Sequence, residues 1–191
     1  LLQTVAAAQN PRDFCMITFL INCGMRVSEL VGLNLSDLRK KEKTLRLLGK
    51  GNKERIIYVN EACLQAMEAY EPVRAKILSD RHRTNEPALF LSERGSRISA
   101  RRVEQILEKY LAAAGLSGRG YSPHKLRHTA ATLMYQYGGA DVRVLKEILG
   151  HENLSTTEIY THVSSQQIER AIDSSPLAKV KAPKSQEDSK E

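Results

Sequence analysis

The sequence has no tryptophan, and aromatic residues make up only 5% of its 191 positions. Proteins that bind single-stranded nucleic acid by base stacking need several aromatic side chains on one surface, so this composition argues against such a platform. Cysteines are also few, and the three present, Cys15, Cys23 and Cys63, include no C-x-x-C pair. We interpret them as small buried residues in a reducing cytoplasm.

Long apolar stretches are missing as well. The most apolar run, residues 14–21, is too short to cross a bilayer, and the sequence shows no signal peptide. We therefore expect a soluble, intracellular protein with no membrane partner. The first residues already follow a helical pattern and contain no methionine, which suggests a fragment whose upstream part is missing.

The charge balance favours basic residues. Lysine and arginine number 29 against 22 aspartate and glutamate residues, which gives a formal net charge of +7. Such an excess indicates a polyanionic partner such as nucleic acid, although many soluble proteins are mildly basic for other reasons. With 41% hydrophobic residues, the chain can bury the core of one ordinary domain.

The hydrophobic periodicity predicts a mainly α-helical protein with a small antiparallel β-sheet near the front, an α+β fold. Asn10 and Pro11 predict the start of a helix that ends at Gly24. A second helix is expected directly after that glycine. From Ser99 onward the pattern is helical, with starts and stops marked by serine, proline and glycine.

Between these helical regions the sequence predicts strands. Two β-rich runs, residues 44–48 and 55–59, flank a Gly51-Asn52 turn, which favours a hairpin. An amphipathic helix follows, and a break at Pro72 is one alternative for it. Residues 88–92 are typical of a further short strand.

The run HKLRH places His124, Arg127 and His128 on one face of a predicted helix. Two histidines four residues apart suggest zinc, but residue 125 is a lysine and a third ligand is lacking, so we expect no metal site. We interpret His128 as a core or capping histidine. His124 and Arg127 fit an anion-binding pair, because a guanidinium grips two phosphate oxygens and an imidazole donates or transfers a proton.

Arg26 begins a predicted helix and is flanked by the apolar residues Met25 and Val27. An arginine between two apolar helices needs an anionic partner, because an unpaired buried charge is costly. Two alternatives stay open from the sequence, namely an ion pair with Glu29 or Asp37, or a bound phosphate.

Lys50, Lys53 and Arg55 lie at the predicted hairpin tip GKGNKER. A basic tip can contact the DNA backbone or can simply be a solvated turn, and position alone does not choose among the three cations. No nucleophile elbow, phosphate-binding loop or dinucleotide motif is present. If the protein is an enzyme, Tyr160 in GHENLSTTEIYTH is the best candidate nucleophile, whereas His162 is expected to be incidental.

Four runs in this order, GMRVSELVGL, GKGNKER, HKLRHTAAT and LGHENLSTTEIYTHV, resemble the tyrosine recombinase family of phage integrases and Xer resolvases. The resemblance implies the catalytic-domain fold of that family over residues 1–175. It also favours Lys50 among the three hairpin cations. Transferred residue by residue, the family's catalytic set falls on Arg26, Lys50, His124, Arg127, His151 and Tyr160.

The same resemblance implies that Tyr160 attacks a DNA phosphodiester and forms a 3′-phosphotyrosyl ester, without metal, cofactor or ATP. The expected process is DNA integration, excision or chromosome dimer resolution in a bacterial cytoplasm, at the nucleoid. The implied partners are double-stranded DNA and further protomers, in a tetramer that exchanges its C-terminal helix. We expect DNA contacts from Lys50, Lys53, Arg55, Arg101, Arg102 and Lys125.

One expected departure from the family pattern concerns domain organisation. Members usually carry an N-terminal DNA-binding domain, and we expect it to be absent from this chain. The expected organisation is the catalytic domain followed by a flexible charged tail at residues 176–191. Three alternatives remain. They are a DNA-binding module without activity, a type IB topoisomerase-like enzyme that relaxes supercoils, and a zinc hydrolase.

Overall fold

The computed structural model describes residues 4, 8–49, 53–118, 120–138, 142–149, 170 and 172–179. Its α-helices are α1 (Pro11–Cys23), α2 (Val27–Gly32), α3 (Glu61–Asp80), α4 (Ala100–Ala113), α5 (Pro123–Gly138) and α6 (Val142–Leu149). The strands are β1 (Leu38–Arg39), β2 (Thr44–Leu48) and β3 (Glu54–Tyr58), and 3₁₀ helices cover Leu35–Asp37 and Pro176–Lys179. This is the predicted α+β fold, mostly helical with one small sheet.

Helix α1 begins and ends where its local sequence predicts. The Asn10 side chain accepts hydrogen bonds from the backbone N–H groups of Arg12 and Asp13, at 3.0 and 3.2 Å. Gly24 ends the helix with φ 58°, and a Cβ added there would lie 2.9 Å from a side-chain carbon of Leu149. Both the left-handed backbone and the close contact therefore require glycine at this position.

The three strands form one antiparallel sheet in the order β1-β2-β3. In the predicted hairpin, Leu48 pairs with Glu54 next to the loop, and the turn itself lies outside the described residues. Alternate side chains follow the strand period of two. Leu45, Leu47 and Ile57 are buried, whereas Leu48 is exposed.

One alternative left open by the sequence, and one prediction from it, differ from the structure. Helix α3 continues through Pro72 without a break. Residues 88–92 form isolated bridges instead of a strand, at Ala88 and Leu91. The buried Arg74 side chain explains this, because it donates hydrogen bonds to the Ala88 and Leu89 carbonyls that a strand partner would otherwise use.

The core surrounds α1, which packs against α3 and α5 and is buried on nearly every side. All three cysteines are buried free thiols, as predicted. Burial raises the pKa of the Cys15 and Cys63 thiols well above their usual value. These thiols therefore behave as small apolar core residues.

The C-terminal part of the described chain folds back onto the helices. Ile172 is buried in a small cluster with side chains of α5 and α6. The 3₁₀ helix Pro176–Lys179 contacts α1 and α3, so folded structure continues past the boundary predicted at residue 175. Among the described residues, no helix combines the length and apolar character that crossing a bilayer requires.

Candidate active site

An open pocket of about 310 Å³ lies between the N-terminal ends of α2 and α5. Its lining residues are Arg26, Val27, Glu104, Ser122, Pro123, His124 and Arg127. Three side chains predicted from two separate motifs, Arg26 from one and His124 with Arg127 from the other, thus line the same depression. The structure brings the helix starts together through packing of α1 on α5.

Arg127 forms the inner wall of the pocket, and its side chain is 5% exposed. Nη1 donates to the Gly24 carbonyl at 2.9 Å, and Nη2 donates to the Leu149 carbonyl. These carbonyls lie at the C-terminal ends of α1 and α6, where helices lack donors and favour cations. Burial, and then the charge of Arg26, lower the Arg127 pKa to about 10, so the guanidinium stays protonated at neutral pH.

Arg26 lies at the pocket mouth as the N-cap of α2. Its backbone N–H donates to Glu29 Oε2 at 2.7 Å, and its Nη1 donates to Glu29 Oε1 at 3.0 Å. The ion pair with Glu29, one of the two alternatives, is therefore present, whereas Asp37 pairs with Arg46 at 2.6 Å. Because the Arg26 side chain is still 43% exposed, it can also bind an anion in the pocket.

Glu29 joins the basic residues of the site. Its carboxylate is 2% exposed and is bidentate to Arg55, at 2.7 and 3.0 Å, and lies 3.7 Å from Arg127 Nη1. Burial alone would raise the pKa of Glu29, but hydrogen bonds from Arg55 and Arg26, with their charges, outweigh it and lower the pKa. Three arginines around one carboxylate leave an excess of positive charge beside the pocket.

The start of α5 presents further predicted residues. Ser122 Oγ accepts a hydrogen bond from the Lys125 backbone N–H at 3.3 Å, and the side chains of His124 and Lys125 are exposed. His128 is also exposed and lies inside α5, so its interpretation as a core or capping histidine is wrong. Within the described ranges, no group of three or more His, Cys, Asp or Glu side chains could hold a metal ion.

The residues predicted to contact DNA differ in their environment. Lys53 and Arg101 are exposed. Arg102 is exposed and pairs with Glu93 at 3.6 Å. The Arg55 side chain is only 15% exposed and is engaged by Glu29.

The remaining predicted residues, Lys50, His151, Tyr160 and His162, lie outside the described residues. Glu104 was not singled out from the sequence, although it lines the pocket together with His124. It lies on the polar face of α4 and reaches the site only by tertiary packing. No local spacing in the sequence connects it with the other residues.

Comparison with known proteins identifies relatives over nearly the whole chain. The profile of the phage integrase family matches residues 1–167. The tyrosine recombinase XerC of Caldanaerobacter subterraneus subsp. tengcongensis is 49% identical over 178 residues, which are 93% of this chain and 49% of that protein. The XerC of Corynebacterium efficiens is 45% identical over 161 residues, which are 84% of this chain and 49% of the relative. The chain thus spans about half the length of these curated relatives.

Solved structures give the same result for the fold. The crystal structure of XerA recombinase superposes with a TM-score of 0.71 at 30% identity, over 87% of this chain and 59% of that one. The catalytic core of lambda integrase, at 21% identity, superposes with a TM-score of 0.59 over 78% of this chain and 90% of that core. On the profile match and these identities, the chain belongs to the phage integrase family of tyrosine recombinases.

Proposed function

We propose that this chain is the catalytic domain of a site-specific DNA recombinase, which cleaves and rejoins DNA strands through a 3′-phosphotyrosyl intermediate. Family membership supports the reaction class. The observation that carries the proposal for this chain is the pocket shared by Arg26, His124 and Arg127. It combines two fixed cations with an exposed imidazole, a set suited to one phosphodiester.

The chemistry requires stabilisation of negative charge. When a hydroxyl attacks phosphorus, the pentacoordinate transition state gathers charge on its non-bridging oxygens, and fixed cations stabilise it there. Arg127 is held in place by two backbone carbonyls, and Arg26 is held through Glu29. Both guanidinium groups would therefore act without reorganising as the charge develops.

Tyr160 is the proposed nucleophile, and a 5′-hydroxyl would leave as the phosphotyrosyl ester forms. A tyrosine hydroxyl is mostly protonated near neutral pH, so His124 would accept its proton. Lys50 would protonate the leaving oxygen, and His151 would donate a hydrogen bond to the phosphate. In the reverse step, a 5′-hydroxyl attacks the ester and releases Tyr160, so rejoining needs no ATP.

The proposed DNA contacts outside the pocket are Lys53, Arg101, Arg102 and Lys125, all exposed. Assembly on DNA is proposed as a tetramer with exchange of the C-terminal helix. In this structure Ile172 is buried against its own chain. Exchange would move it to the same apolar surface of a neighbouring copy, as in a domain swap.

A covalent-capture experiment tests the proposed reaction without knowledge of the target site. The protein is incubated with a pool of randomised nicked duplexes, in which the cleaved end diffuses away, and SDS-resistant protein–DNA adducts are isolated and sequenced. We expect adducts on a common sequence, in EDTA as well as in Mg²⁺. The Tyr160→Phe variant should form none.

Two outcomes would contradict the proposal. Adducts that persist in Tyr160→Phe would remove Tyr160 from its role. Adduct formation that depends strictly on Mg²⁺ would exclude a mechanism in which arginines alone stabilise the transition state.

A further inference from the structure

Arg55 lies on β3, and each of its three guanidinium nitrogens donates within the chain. Nη1 and Nη2 bind the two oxygens of Glu29 at 2.7 and 3.0 Å. Nε donates to the carbonyl of Ile148 at 3.2 Å. The parallel two-point contact with a carboxylate is specific to arginine, because a lysine ammonium cannot reproduce the planar fork.

These contacts join three elements that lie next to proposed catalytic residues in the sequence. β3 follows the hairpin loop that contains Lys50, and a Cβ added at Gly49, at the base of that loop, would lie 3.8 Å from Arg55 Nη1. Glu29 belongs to α2, whose N-cap is Arg26. Ile148 lies in the last turn of α6, three residues before His151.

Arg55 also decides how the charge of Glu29 is shared. The carboxylate is buried, so it must be satisfied by cations or donors. Because Arg55 binds both carboxylate oxygens of Glu29, one side-chain hydrogen bond from Arg26 is sufficient. The Arg26 side chain therefore stays 43% exposed toward the pocket. Without Arg55, the same carboxylate would draw Arg26 and Arg127 away from a phosphate.

We infer that Arg55 is a positioning residue of the site, which acts through Glu29 and the Ile148 carbonyl to keep Arg26 available to the substrate and to hold the hairpin, α2 and α6 in register. The inference rests on the proposed recombinase function for its effect on rate. Its structural part, the coupling of Arg55 to Arg26 and Arg127, holds whatever reaction the site performs. It replaces the sequence-based expectation that Arg55 contacts DNA.

Kinetics separate positioning from DNA contact. The duplex sequence recovered by covalent capture serves to measure the Kd and the rate of adduct formation for wild type, Arg55→Gln and Lys53→Gln. Lys53→Gln is the control, because it removes the same charge from the same hairpin. Arg55→Gln should slow adduct formation at saturating DNA by about 10²-fold, as misplacement of catalytic groups does, and should leave the Kd for DNA unchanged. Lys53→Gln should raise the Kd, because Lys53 is a proposed DNA contact. A raised Kd with an unchanged rate at saturating DNA in Arg55→Gln would overturn the inference.

The partner of Arg55 is tested by a double-mutant cycle. If Arg55 acts through Glu29, then Arg55→Gln combined with Glu29→Gln should slow the reaction little more than either single change. Rate losses that multiply would show independent roles and contradict the inference. Arg55→Lys keeps the charge without the fork, so it should recover little of the rate; full recovery would mean that charge alone matters.

A measurement on the DNA-free protein does not depend on the reaction. Guanidinium NMR resonances of Arg26 and Arg127 should shift in Arg55→Gln and stay in place in Lys53→Gln. Unshifted resonances would overturn the inference even if cleavage is observed. Shifted resonances in a protein that forms no adduct would instead reject the proposed function and keep the coupling. If Arg55→Gln does not fold, Arg55→Lys takes its place in this comparison.

Discussion

Glu29 contacts three arginines whose exposure differs widely, and this difference separates their roles at the scale of single residues. Arg26 is 43% exposed, whereas the Arg127 side chain is 5% exposed and bridges two helix ends. Arg26 is the solvent-exposed partner of its ion pair, and Arg55 binds the same carboxylate, so loss of Arg26 should cost little stability. A buried donor that satisfies backbone carbonyls contributes more, because its removal leaves those carbonyls unpaired.

The two arginines should therefore respond differently to the same substitution. Arg26→Gln should lower the rate of adduct formation by about 10²- to 10³-fold and change the free energy of unfolding by less than about 1 kcal/mol. Arg127→Gln should lower the rate as strongly and also cost about 2 kcal/mol of stability. Urea denaturation beside single-turnover kinetics gives both quantities. Equal stability losses would contradict the structural distinction.

Glu29 should make the stability of the protein pH-dependent in the acid range. Its pKa in the folded protein is lowered below the ordinary value of 4.5, so the unfolded chain binds the proton more readily. The stabilisation is complete above pH 4.5 and is lost as the pH falls through the lower folded-state pKa. Glu29→Gln should cost about 3 kcal/mol at neutral pH, and its difference from wild type should shrink below pH 4.5. A constant difference across the acid range would contradict this.

The sequence indicated individual residues well where one motif contains both the residue and its partner. Glu29 follows Arg26 by three positions, so the ion pair could be proposed as an alternative from the local sequence. Arg55 was assigned to DNA because its neighbours form a basic loop, and its partner lies 26 residues away. Pairing at that distance depends on how the hairpin packs on α2, which no local pattern encodes.

At the scale of elements, α1 and the segment at residues 88–92 show when local signals suffice. Asn10 specifies the start of α1 through its side-chain hydrogen bonds, and Gly24 specifies the end through its left-handed backbone. Residues 88–92 have strand-like composition, but the Arg74 guanidinium and the Tyr70 hydroxyl bind their backbone groups. Side chains from α3 thus replace a strand partner, and β-propensity could not reveal that.

The path of α3 through Pro72 leads to a stability prediction. A proline inside a helix removes one backbone hydrogen bond, here to the Glu68 carbonyl, and costs about 3 kcal/mol in an unadapted helix. Pro72 is exposed, so Pro72→Ala should restore the hydrogen bond without disturbing the core. Alanine also restricts the unfolded chain less than proline does, which offsets part of this gain. The net increase in the free energy of unfolding should be about 1–2 kcal/mol.

Thermal unfolding measures this change. The control is Lys76→Ala, an exposed substitution one turn further along α3, which should change stability by less than about 0.5 kcal/mol. A lower melting temperature in Pro72→Ala would show that α3 requires the proline geometry at this point.

At the scale of the whole molecule, the net charge of +7 and the family fold support the proposal of a polyanionic partner. The total charge does not say which surface binds it. The proposed surface is defined by exposed cations from three elements, namely Lys53 before β3, Arg101 and Arg102 on α4, and Lys125 on α5. Two of those elements, α4 and α5, contribute Glu104 and His124 to the pocket that Arg26 also lines.

Salt dependence of DNA affinity tests this surface against the total charge. Each phosphate contact releases condensed counterions. The plot of log binding constant against log salt concentration therefore becomes less steep by about 1 for each contact removed. Arg101→Gln and Lys125→Gln should each reduce the slope by about that amount. Lys76→Gln removes the same charge from α3, outside the proposed surface, and should leave the slope unchanged. If all three variants reduce it equally, the affinity reflects net charge alone, and the pocket-centred surface is not where DNA binds.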